Sequence, residues 1–419
     1  MPPSPQNGSS ALLKALIFAM FAAFAMTTDS VGTVIPEIIR EFRLSLTAAG
    51  SFQYATMSGI GLSAIGLGFF ADRFGRRQSI ILGLSLFGVS SGLFAFGHAF
   101  ASFVALLFVS GLGIGIFKAG ALALIGDISG STREHAATMN LVEGFFGIGA
   151  IAGPAIVTLS LANGASWKWV YVVSGLLCLI LVAGTLAAPM PPPKRADATP
   201  ANPRDALRMP GDPVALMFSA MLMLYVGAEA AIYVWAPTYL QRFNGPNAWL
   251  AVYVVSVFFT LRAAGRFLGA WLLAQFDWAV VLVVCSVAMA GLFLSAVAGG
   301  RGVAIFALPA TGLFMSVLYP TINSTGISCF ERERHGSIAG LLLFFTCAGA
   351  VLAPLAMAAV GDALGNSDYS MVLGGGFAGM LALLCMWNLW RRPVAARIAE
   401  RNRADYGGAA SRDALAATS

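Results

Sequence analysis

Charge is what this chain has least of. Asp, Glu, Lys and Arg supply 11% of its 419 residues, against about 25% in soluble proteins. So few charges cannot cover a water-facing surface, so most of the chain must face lipid or other helices. Cysteine is scarce and odd in number: Cys178, Cys285, Cys329, Cys347 and Cys385. All lie in or beside apolar runs without metal-ligand spacing, which argues against a disulfide framework or a zinc site and suits small buried hydrophobes. A Gly-rich nucleotide loop, a nucleophile constellation and a His/Cys cluster are all lacking. No enzyme chemistry, metal or cofactor is therefore expected, and no soluble domain is present to power the chain with ATP. The polar segment Met1 to Ser10 leads into an apolar run without a small-residue cleavage site, which reads as a first membrane span rather than a removed signal.

What is abundant is apolar sequence, 58% of residues. Crossing a bilayer takes about 20 apolar residues per helix, and lipid offers backbone groups no partner, so only helices or closed barrels can span it. The runs are long and continuous rather than alternating over ~10 residues as in a barrel. Twelve spans are predicted, at roughly 13–37, 47–71, 78–98, 102–127, 136–162, 167–188, 213–240, 248–274, 277–299, 302–327, 336–361 and 369–390. Eight prolines with Lys194, Arg195, Arg204 and Arg208 separate the sixth from the seventh. Such a stretch is a connector. The expected organisation is a leader (1–12), a six-helix bundle (13–188), a Pro-rich linker (189–212), a second bundle (213–391) and a polar tail (392–419). The fold class is an all-α membrane protein of two pseudo-symmetric six-helix bundles.

Lys and Arg set the orientation. With the N-terminus inside, only Arg40, Arg43, Lys168, Arg242 and Arg301 of the 25 basic residues fall in outer loops, and Lys118, Arg262 and Arg266 fall inside spans. The other seventeen face the cytoplasm. Both termini are therefore expected inside a plasma (inner) membrane, and the net charge of +6 needs no nucleic acid. The halves also echo each other at an offset of 200 residues: Arg133-Glu134-His135 against Glu333-Arg334-His335, then Gly149…Gly153-Pro154 against Gly349…Ala353-Pro354. Paired six-helix repeats are a transporter plan with the solute site near the midplane.

Ionisable groups inside a membrane are costly and point to a pathway. Here they are Asp29, Lys118, Glu143, Glu229, Arg262 and Arg266, with Asp127 too near a cytoplasmic end to count. Tyr225, Glu229 and Tyr233 are spaced by four and share a helix face, two rings flanking a carboxylate in a way that suits a polyol. Arg262 is expected to pair with Glu229 or to bind an anionic solute, and Arg266 to be structural. Asp29 lies toward the outer side of its span and Lys118 toward the inner side of its own. A direct bridge between them is not expected, and Lys118 can meet Glu143 instead. Gln53, Tyr54, Asn140, Tyr319 and Asn323 are further lining candidates. Trp235, before Pro237, suits an outer-interface anchor. Asp29 or Glu143 is the expected titrating group.

The loop between the second and third spans reads GFFADRFGRR and resembles the signature loop of the major facilitator superfamily. By that resemblance Gly68, Asp72, Arg73, Gly75, Arg76 and Arg77 form a gate that latches the halves in the outward-facing state. Gly149 to Pro154 partly resembles the fifth-helix motif of proton-coupled antiporters, but Asn140 stands where that motif has glycine. A packing role follows more directly. Tyr225-Val226-Gly227-Ala228-Glu229 with Trp235, Gly265-Arg266, and Phe314 to Ile322 are similar to the fucose–galactose–glucose:proton symporter group. That resemblance implies sugar uptake driven by protons, and the working unit is expected to be a monomer. The chain departs from the group at Lys118, where an acid is usual, and in the longer spacing from Asp29 to Pro36. The expected function is secondary transport of a small polar solute by alternating access, as proton-coupled sugar symport. An organic-anion carrier or a drug or metabolite exporter remains open.

Overall fold

A computed structural model of the protein describes residues 5–66, 75–129, 132–190, 211–331, 334–395 and 397–398. Among them there is helix and no strand. Eleven helices are long and apolar enough to cross a membrane: Ala11–Phe42, Arg76–Phe96, Phe100–Ile128, Leu141–Ala162, Trp169–Ala187, Pro213–Leu240, Val254–Gln275, Trp278–Ala298, Gly300–Ser328, Ile338–Ala363 and Tyr369–Arg391. The remaining expected span, Ser51–Gly66, runs up to the edge of the described residues. These are spans one to twelve in chain order, with Ser51–Gly66 as span two. The described starts of spans one and seven and the end of span twelve lie on one face, the terminal face; the opposite one is the far face. Gly68, Asp72 and Arg73 lie outside the described residues, as does the side chain of Asn140.

Local chemistry sets the helix ends. Asp212 accepts the backbone N–H of Val214 at 2.8 Å, with Pro213 in the first turn. Both choices suit a helix start, where N–H groups lack partners and proline loses nothing. On the terminal face Arg76 Nε meets Asp127 Oδ2 at 3.2 Å, tying spans three and four, and Arg77 donates to the Leu186 carbonyl of span six.

The 200-residue echo has a packing meaning. A Cβ at Gly149 or Gly153 would stand 2.1 Å from the Ala22 or Met26 carbonyl, so span five packs backbone-to-backbone on span one. Gly349 repeats this on Met223, with its carbonyl 3.0 Å away, so span eleven packs on span seven. Small residues let membrane helices approach closely where no hydrophobic drive exists between them.

Two irregularities depart from the expected spans. Span one continues through Phe42 and breaks at residues 29–30. Asp29 is therefore near the middle of a 32-residue run, not toward its outer end, and Arg40 belongs to the helix. Pro36 sits within the second segment without ending it, in its second turn, at the cost of one backbone hydrogen bond. Span seven contains a π-helical turn at Ala231–Trp235. Such turns insert a residue and concentrate at functional sites.

The halves meet mainly toward the far face. Asp362 accepts the backbone N–H groups of Leu46 and Thr47, each at 2.8 Å. The Pro354 carbonyl accepts the Tyr54 hydroxyl across the halves at 3.3 Å, and Trp235 Nε1 from within its own half at 3.2 Å. Ser256 donates to the Ile151 carbonyl at 3.0 Å. Gly32 lies so close to span seven that a Cβ would be 1.9 Å from the Tyr233 carbonyl. Nearer the terminal face, Glu143 and Arg266 form a cross-half ion pair at 3.1 Å with both side chains well exposed.

Candidate functional site

The intramembrane charges gather between the halves. Glu229 on span seven forms an ion pair with Arg262 on span eight, and both also face Tyr225. The Tyr225 ring lies 5.7 Å from that of Tyr319 on span ten, and the Arg262 guanidinium stands 5.9 Å above the Phe259 ring. The C-terminal half thus carries a carboxylate, a guanidinium and two phenols in one cluster. Desolvated charges at this depth persist where partners offset the loss of water, and the Glu229–Arg262 pair supplies that.

The N-terminal half contributes Asp29 at the break in span one. Thr28 donates its hydroxyl to Asp29 Oδ2 at 3.0 Å. Arg262, Glu229 and Lys118 all lie within electrostatic reach of this carboxylate. A broken helix supplies unpaired backbone groups and local freedom, tolerable in a membrane only where protein or water covers them. Asp29 is 9% exposed, so protein covers it.

Several expected partnerships turn out differently. Tyr225 and Glu229 face one another, while Tyr233, within the π-helical turn, stays in electrostatic reach of Glu229 and its hydroxyl accepts Gln53 Nε2 of span two at 2.8 Å. Gln53 and Tyr233 are therefore a contact between halves. Tyr54 is likewise committed to the Pro354 carbonyl. Trp235 is 1% exposed and bonded within the protein, not an interface anchor: the same turn directs its indole inward, where its N–H needs an acceptor. Glu143 pairs with Arg266, so Lys118 holds neither Glu143 nor Asp29. The Lys118 ammonium lies instead over the Phe24 and Phe21 rings, 4.9 and 5.8 Å from their centroids. Asn323 is half-buried on span ten, one turn beyond Tyr319. Gly75 has φ +94, a left-handed conformation that favours glycine, and it starts the helix bearing Arg76 and Arg77.

Three participants escaped sequence reasoning: Thr28, the Pro354 carbonyl and Asp362. A backbone carbonyl leaves no trace in sequence. Thr28 looks like any small polar residue until the helix break beside it is known. Asp362 bonds a partner 316 residues away, a separation no local pattern encodes.

Comparison with known proteins agrees with this architecture. Residues 16–354 match the Major Facilitator Superfamily. The glucose/galactose transporter of Brucella abortus is 24% identical over 367 residues, covering 84% of this chain and 87% of that one. The L-fucose-proton symporter of Escherichia coli K12 is 24% identical over 396 residues, covering 86% and 89%. The crystal structure of the E. coli fucose:proton symporter superposes with a TM-score of 0.64 at 21% identity, over 90% of this chain and 99% of that one, a likeness of fold. A family match across most of the length, helices in two echoing halves and charges gathered between them lead to one assignment: this chain belongs to the Major Facilitator Superfamily and is a membrane transporter, not an enzyme.

Proposed function

We propose that this transporter moves a small polyhydroxylated solute of the sugar class together with protons, by alternating access. The observation that carries the reading is the pairing of two unlike clusters across the halves. Glu229, Arg262, Tyr225 and Tyr319 on one side offer hydroxyl-binding donors and acceptors beside aromatic faces. On the other, Asp29 is a covered carboxylate within reach of Arg262 and Lys118. The names of the relatives, a glucose/galactose transporter and an L-fucose-proton symporter, support the same solute class and coupling.

The mechanism follows from charge. An ionised carboxylate cannot cross the low-dielectric midplane freely. Protonating Asp29 removes its charge, ends its electrostatic attraction for Arg262 and Lys118, and lets the loaded carrier reorient. Arg262 then exchanges part of its bond to Glu229 for solute hydroxyls. We place the terminal face in the cytoplasm of a plasma membrane, following the Lys/Arg bias, and the working unit as the monomer. In that orientation the far-face contacts of Asp362, Pro354 and Gly32 close the outside while the exposed Glu143–Arg266 pair guards the inside. Gly75, Arg76 and Arg77, with the adjoining loop, form the gate of the alternate state. Asn140 and Asn323 remain proposed lining residues.

The test is thermal stabilisation of purified protein by neutral sugars, sugar acids, short carboxylates and amphiphilic drugs, since a ligand of the folded state raises stability by mass action. Uptake into proteoliposomes under an imposed proton gradient follows. Sugar-class binding lost in Glu229→Gln, with gradient-driven uptake lost in Asp29→Asn, is the expected result. Stabilisation by amphiphilic drugs alone would replace this reading with an exporter.

A further inference from the structure

Of the six intramembrane charges that the sequence singles out, four are paired: Glu229 with Arg262 and Glu143 with Arg266. Asp29 takes the Thr28 hydroxyl. Lys118 is left. Among the described residues it has no carboxylate or carbonyl acceptor within bonding distance, only the Phe24 and Phe21 ring faces. The polar groups within its electrostatic reach are Glu143 on span five, Cys347 on span eleven and Asp29 on span one, so its ammonium looks toward the interface of the halves. Span eleven of the opposite half comes close there: a Cβ on Gly61 would meet the Cys347 β-carbon at 3.3 Å. Lys118 is half-buried, not sealed.

A cation in this setting is expensive unless it serves, and aromatic faces offset only part of the cost. We infer that Lys118 is the anchor for a carboxylate on the solute, so the cargo is a sugar acid, an aldonate or a hexuronate, whose hydroxyls meet the Glu229–Arg262–Tyr225–Tyr319 cluster. This rests on the proposed symport of a polyol. The charge count selects the class. One unpaired cation matches one carboxylate, whereas a phosphate dianion calls for more positive charge than Lys118 brings, and both arginines already hold carboxylates.

The same count fixes the stoichiometry. Asp29 is faced by Thr28 on its own span, Lys118 on span four, Glu229 and Tyr233 on span seven and Arg262 on span eight. When empty, the site holds Asp29 as carboxylate with Lys118 as ammonium. When loaded, one external proton forms an O–H bond on Asp29, and the solute carboxylate takes over as counter-charge to Lys118. No other bond forms or breaks, and the net charge of the site is unchanged. One proton and one sugar acid thus cross together without moving charge.

The experiment uses the full-length protein in proteoliposomes with D-galactonate, D-galacturonate and D-galactose, which share the galacto configuration of their hydroxyls; the first two carry a carboxylate and the third is neutral. Uptake is measured under an inward proton gradient, and charge movement on supported membranes. The expected result is saturable uptake of an acid at least about tenfold tighter than of galactose, the scale of one charge-assisted bond, with no transient current. Lys118→Met abolishes that preference and Lys118→Arg retains most of it. Should Lys118→Met fail to fold, the wild-type preference and the missing current still decide. Galactose uptake with an inward current and no acid uptake would overturn the carboxylate inference and leave polyol symport standing. Uptake of none of the three would overturn both.

Discussion

The carboxylate of Asp362, at the far-face end of span eleven, accepts the backbone N–H of Thr47 in the first turn leading into span two, 315 residues away, at 2.8 Å. With its second oxygen on the Leu46 N–H, one side chain from the C-terminal half caps a helix of the N-terminal half. Helix starts carry unpaired N–H groups and a partial positive charge, so the bond holds only while the far face is shut. Asp362→Ala removes the cap, worth about 1 kcal/mol, a factor of about five in a two-state population. Spin labels at Asn163 and Leu364 read the separation of the halves on the far face. A larger open population in Asp362→Ala is expected, and an unchanged distance distribution would exclude the latch.

Gly32 offers a sharper version of the same test. Its approach to the Tyr233 carbonyl exists only between the halves, so Gly32→Ala clashes in the closed state alone. The variant should fold with a melting temperature near wild type, lose transport and populate the far-face-open state. Gly149→Ala is the contrast: its clash with the Ala22 carbonyl lies within one half, and overpacking of about 1–3 kcal/mol should appear as lower thermal stability in every state.

The Glu229–Arg262 pair predicts unequal mutants. Arg262→Gln strands a buried carboxylate, and breaking such a pair costs about 3–5 kcal/mol. Glu229→Gln with Arg262→Gln removes both charges and should recover much of that loss while abolishing solute binding. Melting curves of the two singles and the double in detergent check this. An additive double mutant would mean the pair is not coupled.

Outside the membrane, Asp212 predicts an acid dependence. Burial raises its carboxyl, but the Arg397 bond and the N–H groups of Val214 and Ala215 outweigh burial, and the group is held below the ordinary aspartate range. A lowered native value means this contribution is complete above the unfolded value, about 3.9. It is lost as pH falls through the native one. Wild type should therefore lose stability in that acid window, while Asp212→Asn is less stable at neutral pH and flatter below it. Parallel slopes in melts from pH 3 to 7 would rule the contribution out.

How far each feature could be read in advance depends on the range of the interaction behind it. The Glu229–Arg262 pair was legible because each side chain stands out inside an apolar run and the two spans are consecutive. Tyr233 stays within reach of Glu229, but its hydroxyl is engaged by Gln53 of the opposite half, a partner that the local spacing does not show. Asp29 was recognised as significant but misplaced in depth, since hydropathy closed its span at residue 37 while the helix runs on to Phe42. Trp235 had the local context of a membrane anchor and became a buried bond within the C-terminal half, to the Pro354 carbonyl of span eleven.

By itself the sequence determined the membrane, the helical class, the count and pairing of the halves and the asymmetry of the two faces. All of these rest on period, composition and charge, which act along the chain or against the bilayer. Only the tertiary structure decided which charges are spent on one another, that Lys118 is left over, and which face is shut. Those outcomes depend on side chains hundreds of residues apart competing for the same partners, and no single segment contains that competition.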